Sequence, residues 1–389
     1  MAEHGLKDKI RVLHVVKDDK FFDSVIDSFD SDERLENRSI LVVDKPNYKF
    51  FRIKKTEKVE IIVGENSLKK HLRSHDYDVL FFHSLTFSQY HYHKYIPSNI
   101  VVIWWCWGFE LYLNNNGAPP LFSVELYKPK TKKLLEQESD SFRTKLKNII
   151  KEHFLKYYYV YQRGQLIRRV DFFQPVISIE YDMMKNIKGF HAEEFYYPQC
   201  FTSYQMKIAS HNSDGGILIG NSATFSNNHL DVWDSVRNYI PEGRDVIFPL
   251  NYPNADYAEY LSSQIKSENH KLNIVRDYLP RDEYFNLVDS CSYAVFGVIR
   301  QQAMGNVYHC LFKGMKVFLY KDSIVYKYLK KKDYVVFAIE EITERSFREP
   351  LTKEDVTQNA FALKQEKKYI DKVRESAFEK IREQINEKN

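Results

Sequence analysis

Short runs of apolar and β-branched residues alternate with helix-like segments along nearly the whole chain. Such runs suit buried strands, and their alternation with helices predicts mostly parallel sheets covered on both faces. The predicted strands of the first half are 10–16, 39–43, 59–63, 78–83, 100–105 and 170–178. Those of the second half are 216–220, 245–250, 272–275, 293–298, 316–320 and 335–337.

The chain length and one polar segment predict two domains. A chain of 389 residues is long enough for two well-developed cores, and 43% hydrophobic with 28% charged residues is ordinary for a soluble globular protein. The segment 203–215 is polar and rich in turn residues, which indicates an interdomain connection. We therefore expect a first domain at 1–205, a second at 213–355 and a charged C-terminal helical segment at 356–389.

Charge, cysteines and hydropathy exclude several classes of protein. A net charge of +4 is too small to indicate nucleic-acid binding. The four cysteines form no CxxC pair, which argues against a zinc knuckle or a disulfide framework. No metal and no cofactor is expected. The first ten residues lack the apolar core of a signal peptide, and no long apolar run is present, so a cytoplasmic location is expected.

The stretch 293–308 predicts a site for an anionic ligand. An apolar strand is followed by Arg300, Gln301 and Gln302, and then by Gly305 and Asn306 just before a helix-like segment. Backbone N–H groups and the positive end of a helix favour phosphate, and ligands of open α/β sheets bind beyond the carboxyl ends of the strands. Arg300 suits phosphate because its guanidinium can donate two parallel hydrogen bonds, although a surface salt bridge is the alternative.

Two neighbouring strands of the second half also end in residues that suit a nucleotide. Gly220, Asn221 and Ser222, with Asn227 close behind, offer amides and hydroxyls to phosphate or sugar oxygens, but a helix cap is an equal alternative. Tyr252 follows the next strand, where its ring would stack on a base or simply pack at the strand rim. No GxGxxG or GxxxxGK[ST] fingerprint occurs.

In the first half, the sharpest feature is an acidic residue among aromatic ones at a strand end. Glu110 follows Trp107 and could serve as a general base, with a solvated helix-start carboxylate as the alternative. His14 and His83 lie near the ends of two other predicted strands and are further candidates for a catalytic role, although a structural role is commoner for such histidines.

The region 127–169 is both basic and aromatic. Its apolar and aromatic residues recur at helical spacing with Lys and Arg between them, which fits either a helix in the membrane interface or a core helix with a solvated basic side. The residues expected to contact an acceptor or an anionic membrane are Trp107, Lys147, Lys151, Arg168 and Arg169.

Several motifs resemble a known family. ILIGNSATFSNNHLDVW (217–233), VIFPLNYPNADYAEYL (246–261) and LPRDEYFNLVDSCSYAVFGVIRQQAMGNVYHCLFKG (279–314) are similar to the bacterial TDP-N-acetylfucosamine:lipid II N-acetylfucosaminyltransferases, also called 4-alpha-L-fucosyltransferases. In the first half, WWCWGFELY (104–112) resembles the aromatic-WG-x-acidic-LY segment of that family.

The resemblance implies a GT-B fold, with two Rossmann-like domains whose parallel sheets face a central cleft, and a single C-terminal helix at 356–389 that packs back on the first domain. It implies a nucleotide-sugar donor held by the second domain, where it adds Leu279 to the binding residues, and an acceptor faced by the first. The implied reaction moves a deoxy-amino sugar from a dTDP donor to a polyprenyl-diphosphate-linked glycan on the inner face of the bacterial cytoplasmic membrane. The alternatives are a GDP- or UDP-sugar donor, or a nucleotide-sugar-binding protein without catalysis.

Overall fold

A computed structural model of the chain describes residues 9–19, 21–114, 118–138, 145–197 and 214–389, and their side chains except at 137–138 and 145–155. The expected interdomain connection therefore lies mostly outside the described residues, as do the domain bounds at 205 and 213.

Thirteen strands occur among the described residues, and they occupy nearly all the stretches that the sequence predicts. They are β1 (Ile10–Val15), β2 (Leu35–Val43), β3 (Val59–Val63), β4 (Val79–His83), β5 (Val101–Trp105), β6 (Phe172–Gln174), β7 (Glu193–Glu194), β8 (Gly216–Ile219), β9 (Asp245–Pro249), β10 (Lys271–Val275), β11 (Cys291–Phe296), β12 (Lys316–Leu319) and β13 (Phe337–Ala338).

The described α-helices alternate with these strands. They are α1 (Phe22–Asp30), α2 (Gly64–Ser74), α3 (Phe109–Tyr112), α4 (Pro129–Glu138), α5 (Lys145–Ile167), α6 (Ser178–Met184), α7 (His229–Val236), α8 (Ala255–Gln264), α9 (Arg281–Asp289), α10 (Met304–Phe312), α11 (Ile324–Lys331), α12 (Lys353–Glu375) and α13 (Ala377–Lys388). Short 3₁₀ helices, including Phe87–Lys94, occupy several of the connections.

The strands form two sheets, and every pair of neighbouring strands in them is parallel. The first sheet has the order β3-β2-β1-β4-β5-β6-β7, and the second has the order β10-β9-β8-β11-β12-β13. Each order runs outward in both directions from the first strand of its sheet, which is the doubly wound arrangement of Rossmann-like folds. The strand order reverses between β1 and β4 in the first sheet, and between β8 and β11 in the second.

Each sheet belongs to its own compact unit. The first unit contains the described residues of 1–122, 146–200 and 369–389, and the second contains those of 123–145 and 201–368. In the first unit, Phe378 and Ile381 of α13 join the core that the sheet forms with α1. The segment 123–145, which the sequence places in the first domain, groups with the second unit because Asp231 of α7 accepts hydrogen bonds from the Lys130 and Thr131 backbone and from the Thr131 hydroxyl.

Three elements differ from the sequence-based prediction for identifiable reasons. β2 begins four residues earlier than predicted, because its first half is polar after Leu35 and contains no apolar run. α10 begins at Met304, ahead of the predicted Gly305–Asn306 start, since Ala303 adopts a positive φ of 61° and allows the chain to turn there. The predicted single C-terminal helix is two helices, α12 and α13, separated at Ser376.

No described helix combines the length and the apolar character needed to cross a bilayer.

Candidate active site

The carboxyl ends of β8 and β11, where the strand order of the second sheet reverses, hold most of the predicted donor-site residues. Gly220 directly follows β8, and its backbone N–H donates to the Val295 carbonyl of β11 at 2.9 Å. Gly220 has a positive φ of 73°, and a Cβ at this position would lie 2.6 Å from His229 Nε2. Both the backbone conformation and the close approach therefore require glycine here.

A hydrogen-bonded network joins the segment after β8 to the segment after β11. The Ser226 hydroxyl donates to Gln302 Oε1 at 2.6 Å, and Gln302 Nε2 donates to Thr224 Oγ1 at 3.0 Å. Asn228 Nδ2 donates to the Gly297 carbonyl at 2.8 Å. Gln302 and Asn228 thus fix the two segments relative to each other, so Gln302 has a positioning role in this structure.

The segment between β11 and α10 holds the positive charge of this site. Arg300 is half-buried, and its Nη1 donates to the Gln301 carbonyl at 2.6 Å. Burial raises the pKa of Tyr127, while the Arg300 guanidinium opposes that increase, which places the two side chains near each other. Four residues further on, α10 begins, and its first N–H groups, which have no partner within the helix, lie at the same edge of the sheet.

Gly305 and Asn306 lie in the first turn of α10. Gly305 is exposed, so the backbone is accessible there. The Asn306 backbone N–H donates to the Ala303 carbonyl at 2.8 Å, and its side-chain Oδ1 accepts a hydrogen bond from the Tyr284 hydroxyl at 2.7 Å. The Asn306 carboxamide is therefore oriented by α9, with its NH₂ group directed away from that tyrosine.

Buried amide oxygens at the same edge have no hydrogen-bond partner among the described residues. They belong to Asn221 and Asn227 after β8, Asn251 after β9 and Gln301 after β11, and these three strands are adjacent in the sheet. Asn221 and Gln301 are only 8% and 5% exposed, so the missing partners are unusual. Ser222 is buried as well, and its carbonyl accepts a hydrogen bond from Asn227 Nδ2 at 2.9 Å.

Tyr252 and Leu279 lie at the margin of this group. Tyr252 is 39% exposed, and its carbonyl accepts a hydrogen bond from the Ala223 N–H at 2.6 Å, which joins the segment after β9 to the one after β8. Leu279 is half-buried and follows β10, the edge strand, which β9 separates from β8. The Tyr252 ring has an accessible face, whereas Leu279 lies further from the point of strand reversal.

In the first unit, Glu110 joins the segments that follow two strands. It lies in α3, is 2% exposed, and accepts hydrogen bonds from the Leu85 N–H at 3.3 Å and the Trp107 N–H at 3.1 Å. Burial raises the pKa of Glu110 to about 6, although these N–H groups and the nearby Lys17 ammonium oppose the increase. Burial lowers the pKa of Lys17 in turn, and Glu110 partly restores it.

The two predicted histidines are in direct contact. His14 Nδ1 lies 2.9 Å from His83 Nε2, and His14 Nε2 lies 3.0 Å from Asn37 Oδ1. His14 is fully buried, whereas His83 is half-buried at the last position of β4. Burial lowers the pKa of His14 to about 4 and the pKa of His83 well below its ordinary value, so both rings are neutral at pH 7.

The residues predicted to contact an acceptor or a membrane do not form one group. Trp107 is half-buried and stacks between Trp105, at 4.7 Å between ring centroids, and the exposed Phe21, at 5.2 Å. Arg168 is exposed, while Arg169 donates through Nη2 to the Pro97 carbonyl at 2.8 Å. The side chains of Lys147 and Lys151 lie outside the described residues.

Several polar residues at the carboxyl edges of the two sheets were not predicted from the sequence as site residues. Asn251 lies two residues after the end of β9, and Lys17 lies two residues after the end of β1. The strand-end position that identified His83 would therefore have identified them as well. His229 and Asn37 offer no such signal, because His229 opens a helix and Asn37 lies within a strand.

Among the described residues, no group of three or more His, Cys, Asp or Glu side chains is placed to hold a metal ion. The absence of a metal requirement stays a prediction.

Comparison with solved structures relates the two-sheet architecture to known proteins. The chain is similar to sucrose-phosphate synthase from Thermosynechococcus elongatus, with 7% identity, a TM-score of 0.54, and coverage of 93% of this chain and 98% of the other. It is also similar to the N-terminal domain of trehalose-6-phosphate phosphatase from Candida albicans, with 8% identity, a TM-score of 0.52 and coverage of 93% of each chain. These likenesses establish the fold, which is GT-B, as the sequence predicted.

A family model supplies the identification. Residues 146–380 match the model of the 4-alpha-L-fucosyltransferases, glycosyl transferase group 56, and this match covers more than half of the chain. The matched residues include the segments that follow β8 and β11 in the second sheet. The resemblance noted in the sequence motifs is confirmed. The chain therefore belongs to the 4-alpha-L-fucosyltransferase family, glycosyl transferase group 56, and is a glycosyltransferase.

Proposed function

We propose that this glycosyltransferase moves a deoxy-amino sugar from a dTDP-sugar donor to a polyprenyl-diphosphate-linked glycan, at the inner face of the bacterial cytoplasmic membrane. The main support for the donor is that Arg300 and the start of α10 lie together at the strand reversal of the second sheet. A departing nucleoside diphosphate gains negative charge, and a guanidinium with backbone N–H groups stabilises that charge without a metal ion.

The uncharged part of the donor has its own candidate contacts. The amide oxygens of Asn221, Asn251 and Gln301 are acceptors without partners among the described residues. They would accept hydrogen bonds from sugar hydroxyls or from the imide N–H of a pyrimidine base. The accessible face of Tyr252 would stack on that base.

The nature of the donor is tested by the thermal stability of the full chain with dTDP, UDP and GDP. A nucleotide that binds only the folded protein stabilises it by about 2.7 kcal/mol at a hundredfold excess over its Kd. We expect the largest increase in Tm with dTDP. A larger increase in Tm with UDP or GDP would mean that the donor is a UDP- or GDP-sugar. No increase in Tm with any of the three nucleotides would refute the donor site.

A second measurement separates transfer from simple binding. With a dTDP-sugar and a lipid-linked acceptor, we expect release of dTDP that depends on both substrates. Binding of dTDP without such release would favour a nucleotide-sugar-binding protein that has lost catalysis.

The part of the proposal that concerns the acceptor rests on the residues at the carboxyl ends of the strands of the first sheet. Two groups there can take the proton from an acceptor hydroxyl: Glu110, whose pKa burial raises to about 6, and His83, which ends β4. Trp107, stacked on the exposed Phe21, presents an aromatic surface beside them, which suits the apolar face of a sugar ring.

A membrane contact is proposed for the exposed side of α5. Tyr157 and Tyr161 are 64% and 61% exposed, and Lys156 and Arg168 are exposed near them in sequence. Tyrosine and basic side chains together favour the interface of an anionic bilayer.

We expect the triple variant Tyr157→Ser, Tyr161→Ser and Arg168→Ser to bind anionic vesicles at least about fivefold more weakly, because one basic residue near such a surface contributes about 1 kcal/mol and the loss of two interfacial tyrosines adds to that loss. Vesicle flotation measures this, and Tyr278→Ser is the control, because Tyr278 is a tyrosine of the second unit that is 80% exposed. Equal flotation of the triple variant and the wild type would remove this surface from the proposal.

A further inference from the structure

Four polar side chains form one hydrogen-bonded series in the first unit, from the end of α1 across β2 and β1 to the end of β4. Asn37 Nδ2 lies 3.2 Å from Asp30 Oδ1, Asn37 Oδ1 lies 3.0 Å from His14 Nε2, and His14 Nδ1 lies 2.9 Å from His83 Nε2. The series starts at an exposed carboxylate and ends at the strand reversal of the first sheet.

The carboxylate at one end fixes the direction of the whole series. An ionised carboxylate only accepts hydrogen bonds, so Asn37 must turn its NH₂ group toward Asp30 and its oxygen toward His14. Lys58 Nζ contacts the other oxygen of Asp30 at 2.9 Å. Because Asn37 Oδ1 only accepts, His14 Nε2 must carry a hydrogen.

The tautomers of both rings follow from this direction. A neutral imidazole carries one hydrogen, so His14, which has it on Nε2, offers a lone pair at Nδ1. That lone pair requires the hydrogen of His83 to be on Nε2. His83 Nδ1 is then left as an acceptor, and no described residue makes a hydrogen bond to it.

The surrounding rings hold His83 in this orientation. Its centroid lies 5.8 Å from that of Trp105, 4.9 Å from that of Phe81 and 6.0 Å from that of Phe29. These contacts leave the side chain half-buried at the last position of β4. Its fixed tautomer and accessible strand end give it the geometry of a base that is already oriented before substrate binds.

We propose that His83 takes the proton of the acceptor hydroxyl through Nδ1, and that Asp30, Asn37 and His14 are positioning residues that fix its tautomer and orientation. This inference rests on the proposed function. The acceptor oxygen forms a bond to the anomeric carbon of the donor sugar while its proton moves to His83 Nδ1. The bond from the anomeric carbon to the diphosphate breaks, and the nucleoside diphosphate leaves with the electron pair.

The geometry favours His83 over Glu110 for this role. The Glu110 carboxylate is 2% exposed, and its oxygens already accept backbone hydrogen bonds from the segments after β4 and β5. This burial leaves an acceptor hydroxyl little access to the carboxylate. Glu110 therefore serves to hold the two segments beside His83, and we assign it a positioning role.

The first test measures the tautomers directly in the full chain, without turnover. In ¹⁵N spectra of protein labelled at histidine, assigned by single substitution, we expect His14 and His83 each to have a protonated Nε2 and an unprotonated Nδ1. In Asn37→Leu, which removes the acceptor, both rings should show mixed tautomers, whereas Asn37→Asp should keep the wild-type pattern. A hydrogen on Nδ1 of His83 in the wild type would overturn the inference.

The second test measures transfer. We expect His83→Gln to lower kcat by about 10²- to 10⁴-fold, the usual contribution of general acid–base catalysis, with the increase in Tm on nucleotide binding unchanged. Asn37→Leu should lower kcat to a smaller extent, and Asn37→Asp should restore most of it. His71→Gln is the matched control, since His71 is a buried histidine of the same unit that contacts Tyr77 at 2.8 Å, outside the series.

The outcomes separate the two proposals. Normal transfer by His83→Gln would overturn the inference while leaving the proposed function in place. Absence of transfer by the wild type with every nucleotide sugar would overturn the proposed function and the catalytic role of His83 with it, whereas the spectra would still decide whether the series sets the tautomers.

Discussion

Replacing Arg300 with alanine is expected to lower kcat for sugar transfer by roughly 10²- to 10³-fold, the cost of removing one preorganised group that stabilises transition-state charge. The diphosphate gains charge as the glycosidic bond breaks, so the loss should fall on kcat more than on the KM for the donor. The fold should remain intact, because Arg300 is half-buried and the carbonyl to which its Nη1 donates belongs to the adjacent Gln301. Steady-state kinetics with circular dichroism of the same sample measures both effects.

Two further variants make this experiment specific. Arg300→Lys keeps the charge but loses the fork of donors, so we expect kcat between those of the wild type and Arg300→Ala. Arg237→Ala removes an exposed arginine of the same unit that pairs with Asp234, and it should leave kcat unchanged. If Arg300→Ala turned over the donor at the wild-type rate, the diphosphate would have to be stabilised elsewhere.

Most of the fold is predictable from the sequence because both sheets are parallel and buried. Strands covered on both faces need continuous apolar residues, and such runs are visible without knowledge of their partners. The first half of β2 could not be predicted in this way, because Glu36, Asn37 and Arg38 are polar and form no apolar run. The start of α10 was misplaced for another reason, because Ala303 adopts a left-handed conformation that a sequence pattern assigns to glycine or asparagine.

The candidate site is predictable only in part. Arg300, Glu110 and His83 were found because each follows or ends a strand, and the carboxyl ends of parallel strands meet at one edge. Asn37 was not found, because its importance depends on its hydrogen bond to His14, a residue 23 positions away on the neighbouring strand. Hydrogen bonds between strands depend on register and side-chain direction, and neither is encoded in a local pattern.

A buried carboxylate of α12 helps to hold this helix against the second unit, and its removal should be strongly destabilising. Glu366 is 6% exposed and accepts hydrogen bonds from three tyrosine hydroxyls: Tyr308 at 2.6 Å, Tyr334 at 2.7 Å and Tyr328. Hydrogen bonds to a charged group each contribute about 1.5–3 kcal/mol. We expect Glu366→Ala to lower the free energy of unfolding by at least about 4 kcal/mol, since three buried hydroxyls would lose their acceptor.

Urea unfolding of the full chain, followed by circular dichroism and by tyrosine absorbance, measures this loss. Lys367→Ala is the matched control, because Lys367 is the adjacent, exposed residue of the same helix and its removal should change the free energy of unfolding by less than about 0.5 kcal/mol. Glu366→Gln keeps an acceptor oxygen but replaces the other with an NH₂ group that cannot accept from tyrosine, so its effect should lie between the two. Equal stability of Glu366→Ala and Lys367→Ala would show that the three hydroxyls find other partners, and α12 would then owe its position to other contacts, such as the hydrogen bonds of Asn359 with the Val335 backbone.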